Sequence, residues 1–149
     1  MSANTVALFP GQGAQKCGMG QDLIDAFPEA QALFDRADAA IDFPLADTIL
    51  NGDAATVNRT DICQPGIFLV SAAIIEVLKN RKGLEPSTFH AAAGLSLGEY
   101  TALYFASAFS FEDGIRLTRL RGELMQAASD AEPSGMTSIM GLDLEKVEE

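Results

Sequence analysis

Apolar positions fall into short blocks and helical stripes, separated by glycine, proline and acidic turns. Thr5 to Phe9 is an apolar run closed by Pro10-Gly11, the pattern of a short buried strand. Pro10 to Gly20 holds four glycines and reads as a loop. Pro28 suits the first turn of a helix, and Ala30, Leu33, Phe34, Ala37 and Ile41 then recur at helical spacing. Gly52, Asp53 and Asn58 mark turns. Thr60 or Asp61 can cap a long helix from about Ile62 to Lys82, with Pro65 tolerated in its first turn. Gly83 and Pro86 stop it.

Phe89 to Leu95 is the second strand candidate, and Ser96 to Phe105 reads as a helix that begins abruptly. Ser110-x-x-Asp113 resembles a capping box, with a helix following to about Ala128. Ala131 to Gly135 is a break, Thr137 to Leu142 reads as a strand, and Asp143 can cap a last helix, LEKVEE. Alternation of strands and helices predicts an α/β fold with parallel strands. The last helix stops after less than two turns, so the chain is expected to have been cut.

A length of 149 residues corresponds to one domain. The 48% hydrophobic and 21% charged residues exclude disordered and low-complexity readings. The longest mostly apolar stretch, Ile67 to Leu78, is too short to span a bilayer, and the start lacks the basic region of a secretory signal. Cys17 and Cys63 form no ligand spacing, and two cysteines make no disulfide framework, which fits a reducing cytoplasm. A net charge of −11 argues against nucleic acid, whose phosphates need clustered Lys and Arg.

Gly94-Leu95-Ser96-Leu97-Gly98 is the sharpest chemical feature. A serine on a tight strand-to-helix turn projects its hydroxyl away from the sheet, and the flanking glycines remove side chains that would clash there. The helix that follows aims backbone N–H groups, starting with Leu97, at an oxyanion beside Ser96. The bare motif arises by chance in roughly one chain in twenty of this length, so its strand-and-helix context carries the weight. The plain alternative is that Ser96 is a helix cap. A serine nucleophile needs a base. The one histidine, His90, lies about 20 Å upstream along the same extended strand, too far to serve.

The loop Phe9-Pro10-Gly11-Gln12-Gly13-Ala14-Gln15-Lys16 matches neither a dinucleotide fingerprint nor a P-loop. It lies at a strand's C-terminal end, where α/β sites form, and its amides or the Gln12 side chain could face the Ser96 oxyanion; an ordinary turn is the alternative. In the helix after Ser110, Glu112 and Arg116, and Arg119 and Glu123, have the spacing of solvated pairs. Arg121 instead shares the apolar stripe of Leu117, Thr118, Leu124 and Met125, with no carboxylate three or four residues away. A guanidinium there needs an anionic partner, either a structural acid or a substrate carboxylate held by a bidentate fork.

The FPGQGAQ start, the Thr60 to Pro65 stretch ending in Gln64-Pro65, GLSLGEYTAL from Gly94 to Leu103, and Arg121-Gly122-x-x-Met125-Gln126 together resemble the malonyl-CoA:acyl carrier protein transacylase family, in order and spacing. The resemblance implies that Ser96 takes a malonyl group from coenzyme A and passes it to the phosphopantetheine thiol of acyl carrier protein. It implies an oxyanion hole from the Gln12 and Leu97 amides, a malonyl carboxylate on Arg121, and Gln64 near the site. It implies no metal or other cofactor beyond the coenzyme A thioester, a cytoplasmic protein of fatty acid biosynthesis, and a monomer at full length. The implied fold is an α/β-hydrolase-like large domain with an inserted ferredoxin-like subdomain. Residues 1–130 would be the N-terminal part of the first and 131–149 the start of the second.

Two departures stand out. Leu95 occupies the position before the nucleophile where the family usually has histidine, which predicts altered packing or acyl selectivity. Family members run to about twice this length, so the resemblance is to an N-terminal half that lacks the catalytic histidine. A start almost at the first strand resembles the free-standing bacterial enzyme. Acyl carrier protein is acidic, as is this chain, so docking needs a local basic patch; Lys79, Arg81 and Lys82 are candidates, with a solvated helix end as the alternative. The rival functions are a serine hydrolase or thioesterase, which shares the turn, and a fragment inactive alone.

Overall fold

The structure, a computed structural model, describes residues 5–132 and 139–147. Strand β1 (Val6–Phe9) is followed by a glycine-rich loop and helices α1 (Gln21–Ala26), α2 (Pro28–Ile41), α3 (Leu45–Asn51), α4 (Ala54–Val57) and α5 (Thr60–Lys82). Strand β2 (Ala91–Gly94), α6 (Leu97–Phe105), α7 (Phe111–Ala131) and α8 (Leu144–Val147) complete the order. The strands pair in parallel, Val6 opposite Ala91 and Phe9 opposite Gly94. The architecture is therefore α/β, mostly helical around a two-stranded parallel sheet.

Helix α5 is the centre of the core. Phe68, Leu69, Ala72 and Ala73 are fully buried on it, against Phe34 of α2, Leu45 and Ile49 of α3, and Ile115 of α7. It is long and apolar enough to cross a bilayer, but 72% of its most apolar window is buried, as in a core helix. Gly83 ends it at φ +61°, its N–H donating to the Leu78 and Lys79 carbonyls, the left-handed closure that glycine favours. Helix α7 lies close along α5. A Cβ at Gly114 would collide with the Phe68 ring, and one at Gly122 would lie 2.6 Å from the Thr60 carbonyl oxygen. Gly122 thus lets α7 approach the start of α5, and Gly114 makes room for the Phe68 ring further along it.

Several expectations are corrected. Neither Thr60 nor Asp61 caps α5: Thr60 is its first residue, Arg59 is the N-cap, and the Thr60 N–H donates to Gln126 Oε1 at 2.9 Å. A long-range contact thus replaces the local cap. Helices α1, α3 and α4 are too short to give a helical stripe, and Asp53, read as a turn residue, caps α4 by accepting the Thr56 N–H at 2.8 Å. Helix α7 runs to Ala131, three residues further than expected, while Ser110 caps it as expected by accepting the Asp113 N–H at 3.1 Å. The strand expected over Thr137 to Leu142 is not formed at residues 139–142, where no described strand pairs with it and Gly141 turns the backbone at φ +77°. Thr137 and Ser138, like most of the break expected over Ala131 to Gly135, lie outside the described residues.

The charged pairs also differ. Glu112 bonds Arg36 at 2.6 Å, not Arg116, which turns to Asp113 and the Ala40 carbonyl. Arg119 does meet Glu123 at 2.7 Å, but it is not a solvated residue: it donates to the Asp61 carbonyl and lies 4.4 Å from the Phe43 ring centroid. At the end of α5, Lys79 pairs with Glu76 and Arg81 with Glu29. Two of the three cations proposed for docking are thus neutralised locally, which favours the helix-end reading.

Candidate active site

Ser96 sits between β2 and α6 with φ +54° and ψ −103°. A non-glycine residue there is strained, at a cost on the order of 1–3 kcal/mol, so the surroundings must hold it. The glycines do so. A Cβ at Gly94 would meet the Gly98 carbonyl, and one at Gly98 would meet the Phe9 carbonyl oxygen at the end of β1. The first turn of α6 therefore rests directly on both strand ends. Glu99 Oε1 accepts the Ser96 N–H at 3.1 Å and secures the turn. Ser96 is left exposed at the corner.

The glycine-rich loop packs against the same corner, since a Cβ at Gly11 would lie 2.5 Å from the Leu95 carbonyl oxygen. Gln15 shapes the loop: its Oε1 accepts the Gly13 N–H at 2.7 Å and its Nε2 donates to Asn58 Oδ1 at 2.9 Å. The Leu97 N–H opens α6 and has no intrahelical acceptor. No backbone acceptor takes the Gln12 N–H among the described residues.

Arg121 completes the cluster. Its Nη2 donates to Ser96 Oγ at 2.9 Å and its Nη1 to Gln64 Oε1 at 2.6 Å. The guanidinium lies 5.7 Å from the Tyr100 ring centroid, and among the described residues no carboxylate pairs with it. The structural-acid alternative thus finds no partner there. The stripe around Arg121 is only half apolar core: Thr118 is buried, whereas Leu117 and Leu124 are exposed because no described element covers that side of α7. Gln64 is fully buried in the first turns of α5, and its Nε2 reaches Gln12 Oε1 at 3.4 Å and Met125 Sδ at 3.2 Å.

The four side chains singled out from sequence therefore meet: Ser96, Arg121, Gln64 and Gln12 form one chain of contacts drawn from two helices, a loop and the corner. Glu99 and Tyr100 were not singled out. The Ser96-x-x-Glu99 spacing is that of a capping box and carries the signal for Glu99. His90 is exposed at the opposite end of β2 and takes no part in the cluster; its N–H donates to the Thr5 carbonyl. An apolar groove of about 480 Å³ lies elsewhere, lined by Leu8, Phe9, Ile67, Ile74, Leu78 and Phe105 among others, and none of the four cluster residues borders it.

Residues 6–148 match the acyl transferase domain model. The chain belongs to the acyl transferase domain family. It is 43% identical over 140 residues to the human mitochondrial malonyl-CoA-acyl carrier protein transacylase, covering 92% of this chain and 35% of that protein. It is 41% identical over 142 residues to the malonyl CoA-acyl carrier protein transacylase of Bacillus subtilis (strain 168), covering 95% and 44%. Its fold matches the crystal structure of the acyl-carrier-protein-S-malonyltransferase from Bartonella henselae with a TM-score of 0.84 at 38% identity, over 97% of this chain and 46% of that one. A malonyl-transacylase in complex with its type II PKS acyl-carrier protein matches with a TM-score of 0.77 at 39% identity, over 85% and 40%. This acyl transferase domain thus spans less than half the length of these relatives.

Proposed function

We propose that the chain carries the nucleophile and the carboxylate clamp of a malonyl-CoA:acyl carrier protein transacylase. The observation that carries this reading is the 2.9 Å hydrogen bond from Arg121 to the strained, exposed Ser96. It joins a nucleophile position to a cation that has no carboxylate partner among the described residues, the pairing that an acyl group ending in a carboxylate requires. The names of the relatives supply the substrate, and the complex of one with its acyl-carrier protein supplies the acceptor.

In this reading Ser96 Oγ attacks the thioester carbonyl. A C–O bond forms as the C–S bond breaks, and the serine proton passes through a general base to the departing coenzyme A thiolate. The Gln12 and Leu97 amides face the oxyanion of the tetrahedral intermediate. The phosphopantetheine thiol of acyl carrier protein then repeats the exchange in reverse. The chemistry needs no metal or redox cofactor, and coenzyme A enters only as part of the substrate. We assign the protein to the cytoplasm and to fatty acid biosynthesis. Residues 1–130 would form part of an α/β-hydrolase-like large domain, and 131–149 the beginning of a ferredoxin-like subdomain.

A second reading has an observation of its own: the chain's one histidine is remote from Ser96. The 149 residues alone would then hold substrate without turning it over. Transfer of malonyl to holo-acyl carrier protein, compared between this chain and a polypeptide extended to the length of the relatives, separates the two. Transfer by the 149-residue chain itself would refute the second reading, and transfer only by the extended polypeptide would support it while keeping the transacylase assignment. Release of free malonate by the extended polypeptide, indifferent to carrier protein, would make the protein a hydrolase.

A further inference from the structure

Gln64 stands out as a buried polar group that the reaction itself does not use. It is fully buried, yet both ends of its amide are engaged: Oε1 accepts from Arg121 Nη1 at 2.6 Å, and Nε2 meets Gln12 Oε1 at 3.4 Å and Met125 Sδ at 3.2 Å. A guanidinium is a rigid planar fork, so holding one nitrogen fixes the direction of the other. With Nη1 held by Gln64, Nη2 points at Ser96 Oγ. Gln64 is packed in place: it is fully buried, and the Pro65 and Gly66 that follow it in α5 are buried too, where a Cβ at Gly66 would lie 2.7 Å from Met19 Cε.

We propose that Gln64 is the positioning residue of the carboxylate clamp, setting the orientation of Arg121 and tying it to the loop that bears the Gln12 amide. The proposal rests on the reading of Arg121 as a carboxylate ligand. A neutral amide suits the role. It accepts from the guanidinium without cancelling its charge, so the cation remains free to attract a substrate carboxylate. A glutamate there would hold the fork in place and neutralise it.

Two variants separate this role from simple core packing. Gln64→Met keeps the volume and removes the polar atoms, while Gln64→Glu keeps an acceptor for Nη1 and adds a charge. Crystal structures report the Arg121–Ser96 contact without reference to activity. Calorimetry on the 149-residue chain reports the preference for malonyl-CoA over acetyl-CoA. In Gln64→Met the guanidinium is expected to leave Ser96 while the 94–98 turn stays in place, and the malonyl preference to fall about tenfold, the scale of one hydrogen bond to a charged group. In Gln64→Glu the guanidinium is expected to stay and the preference to fall by at least as much. An Arg121–Ser96 contact unchanged in Gln64→Met would overturn the proposal. If Gln64→Met does not fold, an unchanged malonyl preference in Gln64→Glu would overturn it equally. A wild-type chain with no malonyl preference, combined with a displaced Arg121 in Gln64→Met, would leave the positioning role standing and refute the carboxylate reading instead.

Discussion

Arg121 Nη2 donates to Ser96 Oγ at 2.9 Å across a gap of 25 residues in the chain. The contact joins the last helical stripe to the strand–helix corner and gives the cation a neutral acceptor in place of an acid. In the proposed reaction the malonyl carboxylate takes over this guanidinium when the acyl group reaches Ser96. Arg121→Ala is therefore expected to lower malonyl transfer by on the order of 100-fold, since it removes a charge-assisted, bidentate contact. Acetyl transfer should fall far less. The two rates, measured side by side in the extended polypeptide, check this, and equal losses would remove the clamp from the account.

The corner itself makes a separate prediction. Gly94 faces the Gly98 carbonyl with no room for a Cβ, and the clash is with backbone. Gly94→Ala should destabilise the chain by about 1–3 kcal/mol, as overpacking does, and push α6 off the strand ends. Urea unfolding midpoints measure the first effect. A variant as stable as the wild type would mean that the turn relaxes freely and that Ser96 is not held by its glycines.

Much of this arrangement is legible in the sequence, and the reasons differ by element. The presence of both strands, the long core helix and the corner serine are set by local signals: apolar runs, helical spacing and paired glycines. Strand limits and burial are not: β2 covers only Ala91–Gly94 of the expected Phe89 to Leu95, and β1, expected to be buried, leaves Val6 and Leu8 exposed. Arg121 could be singled out because a cation without a local acid is conspicuous on a stripe. What is not legible depends on contacts distant in the chain. The start of α5 is fixed by Gln126, 66 residues away, and Glu112 prefers Arg36, 76 residues away, over the nearby Arg116. The partly exposed stripe of α7 reads as apolar because sequence spacing cannot tell a face that meets the core from one that no described element covers. Helices of four to seven residues leave too few turns for a periodic signal.

Core packing predicts a larger loss at Phe68. Its ring is fully buried and contacts Tyr104 and Phe111 at centroid distances of 5.6 and 6.1 Å. Phe68→Ala should cost about 3–5 kcal/mol. A denaturant midpoint close to wild type would contradict the central place of α5.

The two cysteines should behave differently. Cys17 is exposed, whereas burial pushes the Cys63 thiol up to about 11. Alkylation of the native chain at neutral pH should label Cys17 first and reach Cys63 only on unfolding, because the thiolate is the reactive form. Linkage gives the sign of the pH effect. Between the ordinary thiol value of 9.0 and about 11, the folded chain retains a proton that the unfolded chain has released, so this group's contribution to stability falls as pH rises. Rapid native labelling of Cys63 would show that this part of α5 opens.

The central claim, that Ser96 carries the acyl group, is tested most directly by intact mass. The chain extended to the length of its relatives is incubated briefly with malonyl-CoA, with Ser96→Ala in parallel. The account predicts one malonyl adduct on the wild-type protein and none on the variant. An adduct that survives in Ser96→Ala, or a folded wild-type protein that transfers malonyl without ever carrying it at Ser96, would contradict it.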